Sequence, residues 1–141
     1  VIILDTDVVS GMMRRRPDRK LLDWFDRHDQ EELAVTAMTI YELEIGIAQL
    51  DEGRRKQELG ERLETMWSSH ALRDPPLPFT DLAARRAAML TASLARSGTP
   101  VGFFDVAIAA IALEHGGKLA TRNTRHFSRI AGLLPVSPWD D

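Results

Sequence analysis

The sequence predicts an α/β domain built on a mostly parallel sheet, and three observations carry that reading. Val1–Leu4 is an unbroken apolar run rich in β-branched residues, the pattern of a strand buried on both faces. Ile40, Leu43, Ile47 and Leu50 then step by three, four and three, one face of a helix. Downstream, an almost wholly apolar segment from Asp105 to His115 stops at Gly116-Gly117 and gives way to a second short strand-like run. Strands that alternate with helices fold as a sheet covered on both faces.

The elements follow in order. Asp5 to Ser10 carries the exit of the first strand and the start of a short helix. Met12–Asp18 is a break marked by Pro17 and by Arg14, Arg15 and Arg16, and Leu21, Leu22, Trp24 and Phe25 recur at helical spacing up to about His28. Leu33, Val35 and Ala37 alternate as a second strand. After the helix of Ile40–Leu50, Gly53 interrupts, and Arg54–Trp67 is charged and amphipathic. Gly46 reads as a point of close helix packing. Pro75, Pro76 and Pro78 bracket a connection with a short strand into Phe79. Thr80 or Asp81 caps an Ala-rich helix that ends near Gly98 and Pro100. Lys118–Thr121 is a strand, Arg122–Phe127 a turn or helical piece, and Leu134–Val136 a last edge strand.

Bulk properties narrow the function. A chain of 141 residues, 44% hydrophobic and 28% charged, fits one domain over residues 1–141 with a real core. With no cysteine there is no disulfide, thiolate nucleophile or cysteine zinc site. The formal net charge is -3, so nucleic acid would have to meet a local patch rather than a bulk positive field. No apolar run approaches the ~20 residues that span a bilayer, and no secretory leader is visible, so the expectation is a cytoplasmic protein with no membrane partner. His28, His70, His115 and His126 are scattered without zinc-like spacing. His115 reads as a helix C-terminal residue. No aromatic cluster reads as a base-stacking platform.

The acids carry the chemistry. In LDTDVVS, Asp5 ends a buried strand, which is costly unless the carboxylate is paired, hydrogen-bonded or bound to a cation. Asp5 and Asp7 both offer a helix cap, and Asp7 is the better fit to that role. In TIYELEIGI, Thr39 and Glu42 fit a capping box, yet Glu42 also lies in the first helical turn near a strand exit. Both readings of Glu42 stand at this point. In VGFFDVAIAAIALEHGG, Asp105 opens a helix built for burial. In KLATRNTRHF, Asn123 follows a strand as a turn residue or as a neutral oxygen ligand. In a parallel sheet these points converge beyond the strands' carboxyl ends. Carboxylates so gathered repel one another, and a divalent cation relieves that conflict. Oxygen donors without Cys or His suit Mg²⁺ or Mn²⁺ and a phosphate-bearing substrate.

LDTDVVS, TIYELEIGI, FFDVAIAAIALEHGGKLATRNTRHF and the closing PVSPW resemble, in this order and through nearly the whole chain, the PIN-domain ribonucleases. More narrowly they resemble the VapC/FitB-type toxins of bacterial toxin–antitoxin pairs. The resemblance implies a three-layer α/β/α fold with a mostly parallel central sheet. It implies Mg²⁺- or Mn²⁺-dependent endoribonuclease activity on RNA, a homodimer, and inhibition by a small VapB-like antitoxin. On the matching positions it implies Asp5, Glu42 and Asp105 as metal-holding acids and Asn123 as the fourth catalytic position. Three departures stand out. Asp7 replaces a common Asn, Phe103-Phe104 replaces a small or polar stretch, and Arg125-His126-Phe127 lacks an acid often found there. With Asn123, the last of these leaves the fourth corner of the site without negative charge, so one well-held metal is expected. Two other readings stay open. One is a PIN domain that binds RNA or a partner without cutting. The other is a haloacid-dehalogenase-type phosphatase, in which Asp5 would attack phosphorus and Asp7 act as acid and base. The latter needs a downstream Lys and a late acidic pair, where this chain has Arg122-Asn123-Thr124-Arg125.

Overall fold

The computed structural model describes residues 1–29, 32–69 and 71–140. Among them are four strands and seven helices in the order β1 (Ile2–Leu4), α1 (Thr6–Met12), α2 (Arg19–Asp26), β2 (Leu33–Ala34), α3 (Ala37–Ala48), α4 (Arg54–Ser68), α5 (Asp81–Arg96), α6 (Phe103–Glu114), β3 (Lys118–Ala120), α7 (Thr124–Phe127) and β4 (Leu134–Val136). The strands form one sheet in the order β2-β1-β3-β4, with every pair parallel. From β1 the chain moves to one side for β2 and to the other for β3. The crevice at the carboxyl ends of β1 and β3 is therefore the topological switch point, where open α/β sheets bind ligands.

Alternation along β1 divides the core. Ile3 turns to one face with Leu119, where Ala83, Ala87 and Leu94 of α5 and Ile108 and Ile111 of α6 pack. Ile2 and Leu4 turn to the other with Leu33 and Ala120, against Val8, Val9, Leu21, Trp24, Phe25 and Leu63. Helices thus cover both faces, giving the expected three layers. Val106–Ala112 are all buried, so α6 is a central helix with water at neither flank. Each of its isoleucines contributes about 1.5–3 kcal/mol by leaving water.

Gly116 and Gly117 end α6 at φ 97° and 86°. At Gly117 a Cβ would collide with the carbonyl oxygen of Gly132. Glycine is therefore required there by space as well as by conformation. His115 is the C-cap of α6, as its position in the sequence suggests.

Several boundaries differ from expectation. The alternation at Leu33, Val35 and Ala37 yields only two strand residues, because Leu33–Thr36 are all buried and Ala37 already begins α3. The expected strand into Phe79 shrinks to one parallel bridge, Thr36 with Leu77. Helix α2 stops at Asp26 rather than His28, whose ring instead folds back to the Trp24 carbonyl at 2.7 Å. Gly46 packs against nothing: a Cβ there meets no atom within 4 Å. His70 lies outside the described residues. Among the described residues, no helix is long and apolar enough to cross a membrane.

Candidate active site

Asp5 leaves β1 directly at the switch point. Its backbone N–H donates to the Ala120 carbonyl at 2.9 Å, tying the ends of β1 and β3 together. Its side chain is only 6% exposed. One carboxylate oxygen accepts from the Thr6 N–H and the other from the Thr121 hydroxyl, both at 2.8 Å. Asp5, not Asp7, is therefore the N-cap of α1. Capping and chemistry are not alternatives for this side chain. Asp7, exposed in the first turn, is left free of that role.

Burial pushes the Asp5 carboxyl up from its ordinary 3.8 to about 6. The hydrogen bonds from Thr121 and Thr6 pull it down, while the charges of Asp105 and Asp7 push it further up. Burial likewise raises Asp105, which stands in the first turn of α6. His126 opposes that rise and Asp7 adds to it. The His126 Nε2 lies 3.4 Å from the Asp105 Oδ2. Asp5, Asp7 and Asp105 thus share one electrostatic neighbourhood, and His126 from α7 leans on its open side.

Glu42 joins through a threonine. The capping box assigned to Thr39 is not formed: the N-cap of α3 is Thr36, whose hydroxyl accepts from the Thr39 N–H at 3.3 Å. Glu42 instead accepts from the Thr6 hydroxyl at 2.7 Å. The Thr6 and Thr39 hydroxyls are 3.0 Å apart. A hydroxyl has a single proton, so with that of Thr6 given to Glu42, Thr39 donates to Thr6. The chain Asp5–Thr6–Glu42 therefore links the end of β1 to the first turns of α3.

Asn123 precedes α7 and makes no side-chain cap. Its N–H donates to the Thr121 oxygen at 3.1 Å, the same hydroxyl that donates to Asp5. Thr6 and Thr121 are the residues that sequence reasoning missed, and Thr39 it placed only as a helix cap. The available signal was a hydroxyl immediately after each strand-end position, in LDT and LAT. Beside Asn123, exposed Arg122 lies over the Trp139 ring at 4.0 Å and Arg125 faces solvent. The run Arg14–Arg16 stands apart from this cluster: Arg15 pairs with Glu58 on the surface at 3.1 Å. An open, mostly apolar cleft of about 560 Å³ between α1, α2 and α4, lined by Met12, Met13, Phe25 and Met66, touches none of Asp5, Glu42 and Asp105.

A hard divalent cation fits the donor set. Both carboxyls are raised by burial and by neighbouring acids, Asp5 by Asp105 and Asp7, and Asp105 by Asp7, a conflict that a cation relieves. Among the described residues no three Asp, Glu or His side chains close around a single point. Mg²⁺ does not require that, since it usually keeps several waters and takes one or two carboxylates.

The PIN domain family matches residues 2–133. The chain belongs to that family. A VapC ribonuclease, Y4jK, of Sinorhizobium fredii is 39% identical over 140 residues, covering 99% of each chain. Toxin FitB of Neisseria gonorrhoeae is 34% identical over 142 residues, covering 100% of each. The structure of FitAB bound to an IR36 DNA fragment superposes with a TM-score of 0.85 at 31% identity, over 99% of this chain and 96% of the other. Membership of the PIN family displaces the phosphatase reading of Asp5 and Asp7.

Proposed function

We propose that the protein is a metal-dependent endoribonuclease toxin of the VapC/FitB kind, held inactive by a cognate antitoxin. One observation carries the chemistry: Asp5, just past β1, and Asp105, in the first turn of α6, are both raised by burial, and the charge of Asp105 adds to the rise of Asp5. The PIN family membership and the ribonuclease and toxin names of the relatives support RNA as substrate and an antitoxin as partner. The FitAB assembly on DNA supports a partner that also brings the toxin to DNA. Activity in the cytoplasm as a homodimer completes the reading.

Asp5 and Asp105 would hold Mg²⁺ or Mn²⁺, with Glu42 beside them. The cation supplies charge neutralisation at the phosphate and activation of water. The chain's own residues do the rest. Glu42, fixed by Thr6, accepts a hydrogen bond from the attacking water and orients it in line with the scissile phosphorus. The Asn123 amide donates to a phosphate oxygen. Arg122 and Arg125 hold the flanking phosphates and provide the local positive patch that a net charge of -3 otherwise denies. Thr121 keeps Asp5 ionised and aimed.

The test is cleavage of total cellular RNA by protein freed of any bound partner, in Mg²⁺, Mn²⁺ or EDTA, beside Asp105→Asn. Discrete cuts that need the metal and vanish in the variant are expected. Cuts that persist in EDTA or in Asp105→Asn overturn the mechanism. The uncharged fourth corner at Asn123 favours one other reading, a PIN domain that binds RNA without cutting. RNA retention without cleavage in every metal would establish it.

A further inference from the structure

One short segment makes a contact with each of the two raised acids. The chain leaves β3 through Thr121 and Asn123 and enters α7. At the start of this segment the Thr121 hydroxyl donates to the Asp5 Oδ2 at 2.8 Å. Near its end the His126 Nε2 lies 3.4 Å from the Asp105 Oδ2. The imidazole is held from behind. Its ring meets that of Phe127 edge-on at 5.3 Å, and Phe127 is buried in one core cluster with Ile108 and Ile111 of α6. Helix α7 is thereby fixed to the same helix that carries Asp105. The side chains of His126 and Asp105 are 26% and 42% exposed, so solvent reaches the acid while the ring covers one side of it.

A carboxylate can only accept, so the ring nitrogen that faces Asp105 bears a proton. One neutral tautomer and the imidazolium both meet that condition, and the contact needs no change of charge on the ring. Among the described residues His126 is the sole hydrogen-bond or ion-pair partner of the Asp105 side chain, and it faces Oδ2. We propose that His126 is a positioning residue that occupies Oδ2 of Asp105, presents Oδ1 alone to a cation and so makes the site select Mn²⁺ or Mg²⁺ over Ca²⁺. The proposal rests on the metal-dependent reading and adds to it how the ion is chosen. Mg²⁺ takes a small octahedral set of oxygens, whereas Ca²⁺ gathers about six to eight and readily uses both oxygens of one carboxylate. An N–H on Oδ2 withholds that second oxygen. It also fixes the direction in which Oδ1 points, as outer-shell partners of ligating carboxylates do.

The test is calorimetric titration of Mn²⁺ and of Ca²⁺ into wild type, His126→Ala and His126→Gln at one pH, with thermal unfolding in EDTA as the folding control. The Gln amide offers an N–H in place of the imidazole's. Wild type is expected to prefer Mn²⁺. His126→Ala should bind Mn²⁺ about 10- to 100-fold more weakly and keep its Ca²⁺ affinity, so that the preference collapses. His126→Gln should restore most of it. A ratio of Mn²⁺ to Ca²⁺ affinity that is the same in wild type and His126→Ala overturns the proposal, whether both affinities hold or both fall. So does a Gln variant no better than Ala, because the imidazole is then a ligand itself rather than a donor to Asp105. The two readings fail separately. Mn²⁺ binding with a ratio indifferent to residue 126 keeps the metal site and removes the role of His126. A wild type that binds neither ion removes both.

Discussion

Replacing Asp5 by Asn should stabilise the metal-free protein while abolishing its activity. The Asp5 carboxyl is raised from 3.8 to about 6 in the folded chain. Between those values the folded state binds more protons than the unfolded state, so stability falls as pH rises. The contribution of Asp5 is present in full below about 3.8 and is lost as pH passes through about 6. A gap of about 2 units at 1.36 kcal/mol each sets a ceiling of about 3 kcal/mol. Asn has one acceptor oxygen where Asp5 accepts from both Thr6 and Thr121, and the lost hydrogen bond returns about 1 kcal/mol. The expected net gain at pH 7.5 is about 2 kcal/mol, or roughly 4–8 °C in Tm. Thermal unfolding in EDTA across pH 4 to 8 reads it directly. The advantage should vanish near pH 4, grow to about pH 7 and then level off. A variant that is less stable than wild type at pH 7.5, or a difference that does not change with pH, would refute the account of a buried carboxylate held against its own charge.

The threonines that orient the acids give further tests. Thr121→Val leaves Asp5 without its hydroxyl donor and the Asn123 N–H without an acceptor. Urea unfolding should show a loss of about 1–3 kcal/mol, with the Asp5 carboxyl driven higher still. Thr6→Val frees Glu42 and should lower metal affinity or cleavage about 10- to 100-fold, as outer-shell partners usually do, while unfolding changes little. Unaltered cleavage in Thr6→Val would leave Glu42 without its positioning residue. Gly117→Ala, at φ 86° and against the Gly132 carbonyl, should lose more than about 2 kcal/mol in the same urea assay.

The strength of each sequence signal decided how much of this was legible. Asp5 stood out because an apolar run of four residues ended on a charge, a conflict visible without coordinates. Helix α6 was equally plain, since residues apolar on every side can only lie in a core. Parallel strands were the reason to expect Asp5, Glu42, Asp105 and Asn123 at one end of the sheet, and the structure ties Asp5 to Glu42 through Thr6 and to the Asn123 backbone through Thr121. The start of α3 was misplaced because Leu33–Thr36 are buried on consecutive positions, so neither alternation nor helical spacing marks where the strand ends. Thr36 then became the cap, and Thr39 was released to Thr6. The aromatic stack was invisible for a different reason. Tyr41, Phe79 and Phe103-Phe104 come from separate segments, and only packing α3 and the segment before α5 around the N-terminal turn of α6 stacks Tyr41 on Phe104 and sets Phe103 edge-on to Phe104 and Phe79. Hydroxyls in LDT and LAT carry no periodicity, so their partners emerge only from the fold.

Calorimetric titration of Mn²⁺ into the protein, repeated in buffers of different ionisation enthalpy, tests the central claim most directly. A cation held by Asp5 and Asp105 must displace the proton that the raised carboxyl carries. At pH 6, Asp5 alone should release about half a proton per cation, and the release should fade towards zero by pH 8. Asp5→Asn and Asp105→Asn should each weaken binding, and Asp5→Asn should also remove the pH-dependent release. Binding that is indifferent to both substitutions, or no binding at all, would mean that the acids at the end of β1 and the start of α6 are structural caps rather than a metal site.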